Sequence, residues 1–500
     1  RAGRRHGLSR SVARCDEGDG ILRRPRRVHE LSSVVSSRPA VMPRFVRRST
    51  MPVSAEALHA WHAAPGAFER LTPAWQPAHV VSRSGGITDG SRVVLDIPVL
   101  GGLVTQRWSL EHRDHIAGRQ FRDVQLAGPF ATWSHLHRFE PIDATSSVLA
   151  DEIDYALPLG PLGQAAAGWY VADSLERLFV WRHARTLMDL RRHAAVAGLP
   201  PLHVAITGGT GMIGRALTGF LRMGGHCVRW ITRSPDASRG DIGWDPAAGT
   251  IDTDALEGVD AVVHLAGANV GERWTAAHKR AIRDSREQGT RTIARAIAGM
   301  AATPRVFISG SAIGLYGDTG DRTVDETTPP GTGFLGEVAQ TWEREAEPAA
   351  AAGVRTCIAR IGVVLAAEGG ALARMLPAFQ AGVGGPLGSG RQWMSWVSLD
   401  DVIGAIHHLL LDDTLTGPFN LVAPAPVTNA EFVATLGRVL RRPTVLPVPA
   451  FALTALFGEM AEATILGGQR VLPARLTAAG FSHEHPTLDA ALRFELGRAG

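Results

Sequence analysis

The stretch Val204-Ala205-Ile206-Thr207-Gly208-Gly209-Thr210-Gly211-Met212-Ile213-Gly214 constrains this chain more than any other. A short apolar run feeds a turn with glycines at 208, 211 and 214. Apolar residues then recur at helical spacing from Ile213 through Leu217 to Phe220 and Leu221. The pattern predicts strand, turn and helix. One glycine permits the tight turn, one lets backbone N–H groups approach a pyrophosphate, and one lets helix and strand pack closely. The helix start then faces an anion with its unpaired donors. Gly208, Thr210, Gly211, Met212, Ile213 and Gly214 are therefore the expected dinucleotide cradle.

The units that follow repeat the strand-helix alternation. The second strand, Cys227 to Thr232, ends at Arg233. Asp or Glu near that point would select the ribose hydroxyl of NAD, whereas Arg pairs with the extra phosphate of NADP. Asp236 follows Pro235 and is read as having left the strand end, so NADP is expected in preference to NAD. A buried strand over 260–264 runs into Leu265-Ala266-Gly267, where small residues let the chain pass close to the cofactor. A helix over 276–300 leads to the strand Val306 to Ala312, whose polar end brings Ser311 to the side of the sheet where ligands collect.

These segments carry a resemblance. TGGTGMIG at 207–214, His264-Leu265-Ala266-Gly267, Gly289-Thr290, Ser309-Gly310-Ser311-Ala312 and Leu315-Tyr316-Gly317-Asp318 resemble the extended short-chain dehydrogenase/reductase family. Trp244-Asp245-Pro246, Arg360 to Leu365, Trp393-Met394-Ser395-Trp396 and Val422 to Asn429 look like its atypical epimerase-family branch. The resemblance covers residues 202–495 and implies a doubly wound Rossmann sheet over 202–440 with a small cap domain of unknown function over 441–500. It also implies an oxidoreductase or epimerase acting on a small-molecule substrate.

The chain departs from the family in its chemistry. Hydride-transferring members use a Tyr that exchanges a proton with substrate and a Lys four residues on that lowers its pKa and holds the ribose. The chain has 3 tyrosines, Tyr155, Tyr170 and Tyr316, and Lys279 is its single lysine. Tyr316 is followed four residues later by Gly320, and the corresponding helix start reads Phe334-Leu335-Gly336-Glu337-Val338. Ser311 is thus the expected group to polarise a carbonyl, with Tyr316 the other catalytic candidate and a bound water or the substrate's own hydroxyl supplying the proton. Met394 stands where sugar-nucleotide enzymes of the family commonly carry Arg near Leu399-Asp400-Asp401, which argues against a nucleotide-sugar pyrophosphate. The alternative function is a non-catalytic, NADP-responsive binding protein.

Residues 51–198 read differently. A short helix from Val53 precedes runs at Val93–Ile97, Leu103–Leu110, Ala131–Phe139 and Ser147–Tyr155 that alternate polar with apolar, as half-buried antiparallel strands do. A long helix over 172–195 follows, and Pro200-Pro201 ends the module. This α+β order, most of all Phe130 to Pro141, resembles the START-like helix-grip family of polyketide cyclase and lipid-transfer proteins, which implies a cavity for a hydrophobic ligand. His135 and His137 share a strand face. Without a third ligand nearby they are read as solvent-facing or core-edge histidines, and no metal is expected.

Composition narrows the classes. The formal charge of +4 misleads, because residues 1–50 hold 13 arginines against 4 acidic residues. The remainder is mildly acidic, which argues against a nucleic-acid surface. Residues 1–50 lack periodicity and read as a disordered or artefactual extension, with an organelle targeting segment as the alternative. The 3 cysteines give no disulfide or zinc spacing, and Cys227 and Cys357 are expected to pack as small hydrophobes. No apolar run is long enough to span a bilayer, and the protein is expected to be cytoplasmic.

Overall fold

The computed structural model describes residues 42–99 and 104–498. Residues 1–41, with Cys15 and the targeting alternative, lie outside them. The expected extension over 1–50 is corrected at its end: Arg44–Met51 is a strand, β1. It pairs antiparallel with β7 (Ser147–Ala156), from Arg44 opposite Asp154 to Met51 opposite Ser147. Its arginines serve this pairing, since Arg44 binds Glu152 and Arg48 binds Glu140 across the sheet, while Arg47 reaches Glu176 on the long helix.

With β2 (His79–Ser84), β3 (Arg92–Val99), β4 (Val104–Ile116), β5 (Gln120–Ala127) and β6 (Thr132–Pro141), these strands form a seven-stranded antiparallel sheet in the order β1-β7-β6-β5-β4-β3-β2. Helix α1 (Ala55–Ala63) starts at Ser54, whose Oγ accepts the Ala57 N–H at 3.2 Å. Arg70 ends the short helix α2 (Ala67–Arg70). Helix α3 (Pro161–Ala194) begins on a proline, where no intrahelical N–H bond is lost. It lays Leu175, Leu178 and Phe179 against Val93, Leu110, Trp133 and Ile153 of the sheet.

After Pro200-Pro201 the chain enters a second, mostly parallel sheet. Its first units are β8 (His203–Thr207), α4 (Met212–Met223), β9 (Cys227–Thr232), β10 (Ile242–Asp245), β11 (Thr250–Ile251), α5 (Thr253–Leu256), β12 (Ala261–His264), α6 (Ala276–Gly299) and β13 (Val306–Ala312). The eight strands lie in the order β11, β10, β9, β8, β12, β13, Arg355–Ile361, Gly417–Leu421. Only the β10–β11 pair is antiparallel. Strands buried on both faces explain the continuous apolar runs. Val204 and Ile206 pack with Leu217 and Phe220 of α4, while Ala205 faces Ile293 and Ile297 of α6 on the opposite side. The order reverses between β8 and β12, and the crevice at their carboxyl ends is the ligand position of such sheets.

Thr428 and Glu431 form a capping box, with Thr428 N–H donating to Glu431 Oε2 at 2.7 Å. The helix they open, Asn429–Leu440, packs through Phe432 and Leu436 onto Leu488 and Leu492. Cys357 is buried, and burial pushes its thiol up to about 11. Cys227 is exposed, which corrects its expected packing: it is the first residue of β9, at the strand's outer end. Among the described residues no helix is long and apolar enough to cross a membrane.

The two sheets meet through buried charge. Arg70 grips Asp189 of α3 with two bonds of 2.7 and 2.8 Å and extends Nη2 to Asp400 Oδ1 at 2.7 Å. Arg185 of α3 donates to the same Asp400 oxygen at 2.5 Å. Asp400 stands in the first turn of the helix Leu399–Leu411. Trp181 stacks on Phe494 with ring centroids 5.7 Å apart. Buried Glu495 adjoins this junction. Burial first, and then the charge of Asp400, push its carboxyl from 4.5 up to about 8. The unfolded chain therefore loses this proton first as pH rises, so stability present below about 4.5 is lost progressively up to about 8. Glu495→Gln should remove this contribution, so the gap between the denaturation midpoints of the two proteins should change with pH across that range.

Candidate functional site

The glycine turn is built from backbone approaches that tolerate no side chain. Gly208 has φ of 68°, in the left-handed region. A Cβ there would lie 2.9 Å from the Leu265 carbonyl carbon, and a Cβ on Gly214 would lie 2.2 Å from Gly208 O. Gly211 is the N-cap of α4 and offers no side-chain acceptor, so the first-turn donors of Met212 and Ile213 face outward beside exposed Thr210. This geometry fits a dinucleotide pyrophosphate.

Thr207 is a positioning residue that sequence reasoning missed. Its Oγ1 accepts the N–H groups of Leu265 at 3.0 Å and Ala266 at 3.1 Å, and lies 2.8 Å from His264 Nδ1. Burial, then the charge of Arg286, pull His264 down to about 3, so the ring is neutral. With both acceptor sites of Thr207 used, its O–H donates to Nδ1. The loop Leu265-Ala266-Gly267 is thereby pinned against the glycine turn. The signal available in sequence was a polar residue closing an apolar strand. Arg233 is exposed just past Thr232. Asp236 is committed to its own turn, accepting Ser238 N–H at 2.9 Å and Ser238 Oγ at 2.6 Å.

Ser311 and Tyr316 join one buried polar network. Ser311 Oγ donates to Glu343 Oε1 at 2.7 Å, and Arg360 holds that carboxylate with bonds of 2.9 and 2.8 Å. Arg360 Nη1 donates to Tyr316 OH at 2.9 Å, and this phenol donates to Asn420 Oδ1 at 2.8 Å. Burial raises the Tyr316 pKa against the opposing charge of Arg360. Tyr316 is 1% exposed and Ser311 3%, so both are enclosed in the core. Phe334 begins the helix Phe334–Arg344, and Lys279 Nζ sits 4.5 Å from its ring centroid while pairing with Glu459 at 2.7 Å.

A second cavity lies between the antiparallel sheet and α3, with a volume of about 1130 Å³. Trp108, Phe130, Trp133 and Leu175 line its apolar part, and His112, Asp123, His135 and His137 line its polar end. The expectation of solvent-facing or core-edge histidines is corrected, because His135 is 3% exposed and faces inward, and Asp123 supplies the missing third ligand-type group. Burial pulls the His137 imidazole down, but Asp151 and Asp123 outweigh it and carry the ring up to about 9.

Residues 204–421 match the NAD dependent epimerase/dehydratase family, and 448–495 match a domain of unknown function (DUF1731). An epimerase family protein of Mycobacterium leprae is 46% identical over 296 residues, 59% of this chain and 96% of the relative. The chain belongs to the NAD dependent epimerase/dehydratase family. NAD(P) is its cofactor. The human epimerase family protein SDR39U1, solved with NADPH, is 34% identical over 59% of this epimerase-family chain and 98% of its own, with a TM-score of 0.54. A Corynebacterium glutamicum structure described as a nucleoside-diphosphate sugar epimerase is 31% identical, covers 91% of this chain and 90% of its own, and has a TM-score of 0.74. That likeness takes in the antiparallel sheet as well.

Proposed function

We propose that this epimerase-family protein is a cytoplasmic, NADP(H)-dependent oxidoreductase or epimerase acting on a small substrate. The cradle around Gly208 and Gly214 carries the reading, since it fits a dinucleotide at the sheet's switch point. NADP(H), when bound, supplies or accepts hydride. Thr210, Gly211, Met212, Ile213 and the pinned Leu265-Ala266-Gly267 loop hold it, and Arg233 meets its 2′-phosphate. Ser311 then handles the proton at the substrate oxygen. Consumption of NADPH in the presence of a carbonyl panel tests the activity, and no turnover with any member would leave only binding.

The sealed position of Tyr316 favours a second reading, a non-catalytic NADP-responsive protein that keeps a hydrophobic ligand in the START-like N-terminal cavity. Under this reading NADPH should alter the binding of an apolar fluorescent probe without being consumed. Both readings share one expected result. Arg233→Ala should weaken NADP(H) by about 1.5–3 kcal/mol, the scale of a hydrogen bond to a charged group, and leave NAD(H) unchanged. Equal affinities of the unaltered protein for the two dinucleotides, measured by calorimetry, would exclude the role of Arg233.

A further inference from the structure

We propose that Asp123, His135 and His137 bind a divalent transition-metal ion of the zinc class at the polar end of the N-terminal cavity, with Asp151 as the group that orients both histidines. The site is independent of the dinucleotide reading. Strand register builds it. Asp123 stands opposite His112 on one side and His135 on the other, and His137 stands opposite Asp151. His135 and His137 are two apart on β6, so their rings leave the same face of the sheet, the face that α3 covers.

The distances suit one ion. Asp123 Oδ2 lies 3.2 Å from His137 Nε2 and 3.7 Å from His135 Nδ1. Ligand atoms about 2.0–2.1 Å from a tetrahedral zinc are about 3.3–3.4 Å from one another. Of the ring nitrogens turned away from this point, that of His135 is hydrogen-bonded to a carboxylate and that of His137 lies within ion-pair distance of the same carboxylate. His135 Nε2 and His137 Nδ1 lie 2.8 and 2.7 Å from the same oxygen, Asp151 Oδ1. Asp151 is itself fixed through Oδ2 by His183 Nε2 at 2.7 Å, and His183 Nδ1 meets Ser49 Oγ at 2.8 Å. A carboxylate behind each metal-facing imidazole is the usual arrangement of outer-shell support. His112 Nε2 lies 3.0 Å from the second carboxylate oxygen, Asp123 Oδ1, which is buried without a hydrogen-bond partner.

The formal charges also fit. Asp123 and Asp151 together hold two negative charges away from water, and a divalent ion has the sign that offsets them. Three protein ligands leave a coordination position open, and Asp123, His135 and His137 all line the cavity. An oxygen-bearing group of a largely apolar ligand would complete the coordination there.

The full chain, stripped with a chelator and dialysed, should take up one equivalent of Zn²⁺ by calorimetry. With Co²⁺ it should develop visible d–d absorption. Asp123→Asn and His137→Gln should abolish both signals, and Asp151→Asn should weaken the metal by about 10–100-fold. Circular dichroism checks that each variant is folded. As a readout that needs no variant, excess Zn²⁺ should raise the melting temperature of the stripped protein. Failure of the intact chain to bind either ion stoichiometrically overturns the proposal, as does unchanged binding in folded Asp123→Asn and His137→Gln.

Discussion

Asp400→Ala is expected to destabilise the full chain by about 3–5 kcal/mol, because it leaves buried charge without a partner. The carboxylate receives Arg70 and Arg185, whose side chains are 5% and 7% exposed, while its own is 3% exposed. Arg70 would retain Asp189, but Arg185 would lose its ion-pair partner, since that guanidinium pairs with no other carboxylate among the described residues. The loss should therefore exceed that of an exposed pair. Arg438→Ala, which breaks contacts with Asp489 at a side chain 59% exposed, should cost less than about 1 kcal/mol. Urea unfolding of the two variants makes the comparison, and a loss at Asp400 no larger than at Arg438 would show that the buried pairs are not holding the sheets together. Replacing Asp400 and Arg185 together by apolar residues should recover part of the loss, because it removes the stranded charge as well as the pair.

What the sequence made legible follows from where burial imposes a pattern. Strands β8, β12 and β13 are buried on both faces, so their apolar runs are continuous and β13 was read to the residue. β6 and β7 were visible because one face meets the core and one meets water. β2 escaped because every residue in it is exposed, and no core selects its side chains. β5 escaped because its inward Asp123 interrupts the alternation beside Phe121. The same residue is the third ligand-type group whose absence made His135 and His137 look ordinary. Only the antiparallel register brings it to them. β1 was hidden by its arginines, whose partners lie on β6, β7 and α3, about a hundred residues downstream.

The same reasoning separates the two parts of the candidate site. The glycine cradle is local in sequence, since turn, strand and helix start are contiguous, and it was read directly. The polar network around Ser311 is not local. Glu343 lies 32 residues beyond Ser311, and Arg360 a further 17, so no spacing rule links them. Asp400 is likewise not legible as a junction residue, because its partners Arg70 and Arg185 are 330 and 215 residues away.

Ser311→Ala is expected to lower turnover on the order of tenfold to a thousandfold, the range for losing one stabilising hydrogen-bonding group, with NADP(H) affinity unchanged. The argument is one of inventory and direction. Phe334 has no proton to exchange, and the Tyr316 hydroxyl is already shared between Arg360 and Asn420. The Ser311 hydroxyl already donates to Glu343, so its lone pairs are what it offers to a substrate. In alcohol oxidation the substrate O–H would donate to Ser311 Oγ while the serine proton passes to Glu343 Oε1, and the hydride leaves the same substrate carbon. Carbonyl reduction returns the proton along the same two bonds. Arg360 fixes the carboxylate that would receive the proton. Tyr316→Phe should cost much less than Ser311→Ala, since it removes a core hydrogen bond and no proton donor. Steady-state kinetics of the two variants, with dinucleotide affinity measured separately, decide between them. Collapse of activity in Tyr316→Phe with Ser311→Ala near normal would make Tyr316 the acid and displace Ser311 from the reaction.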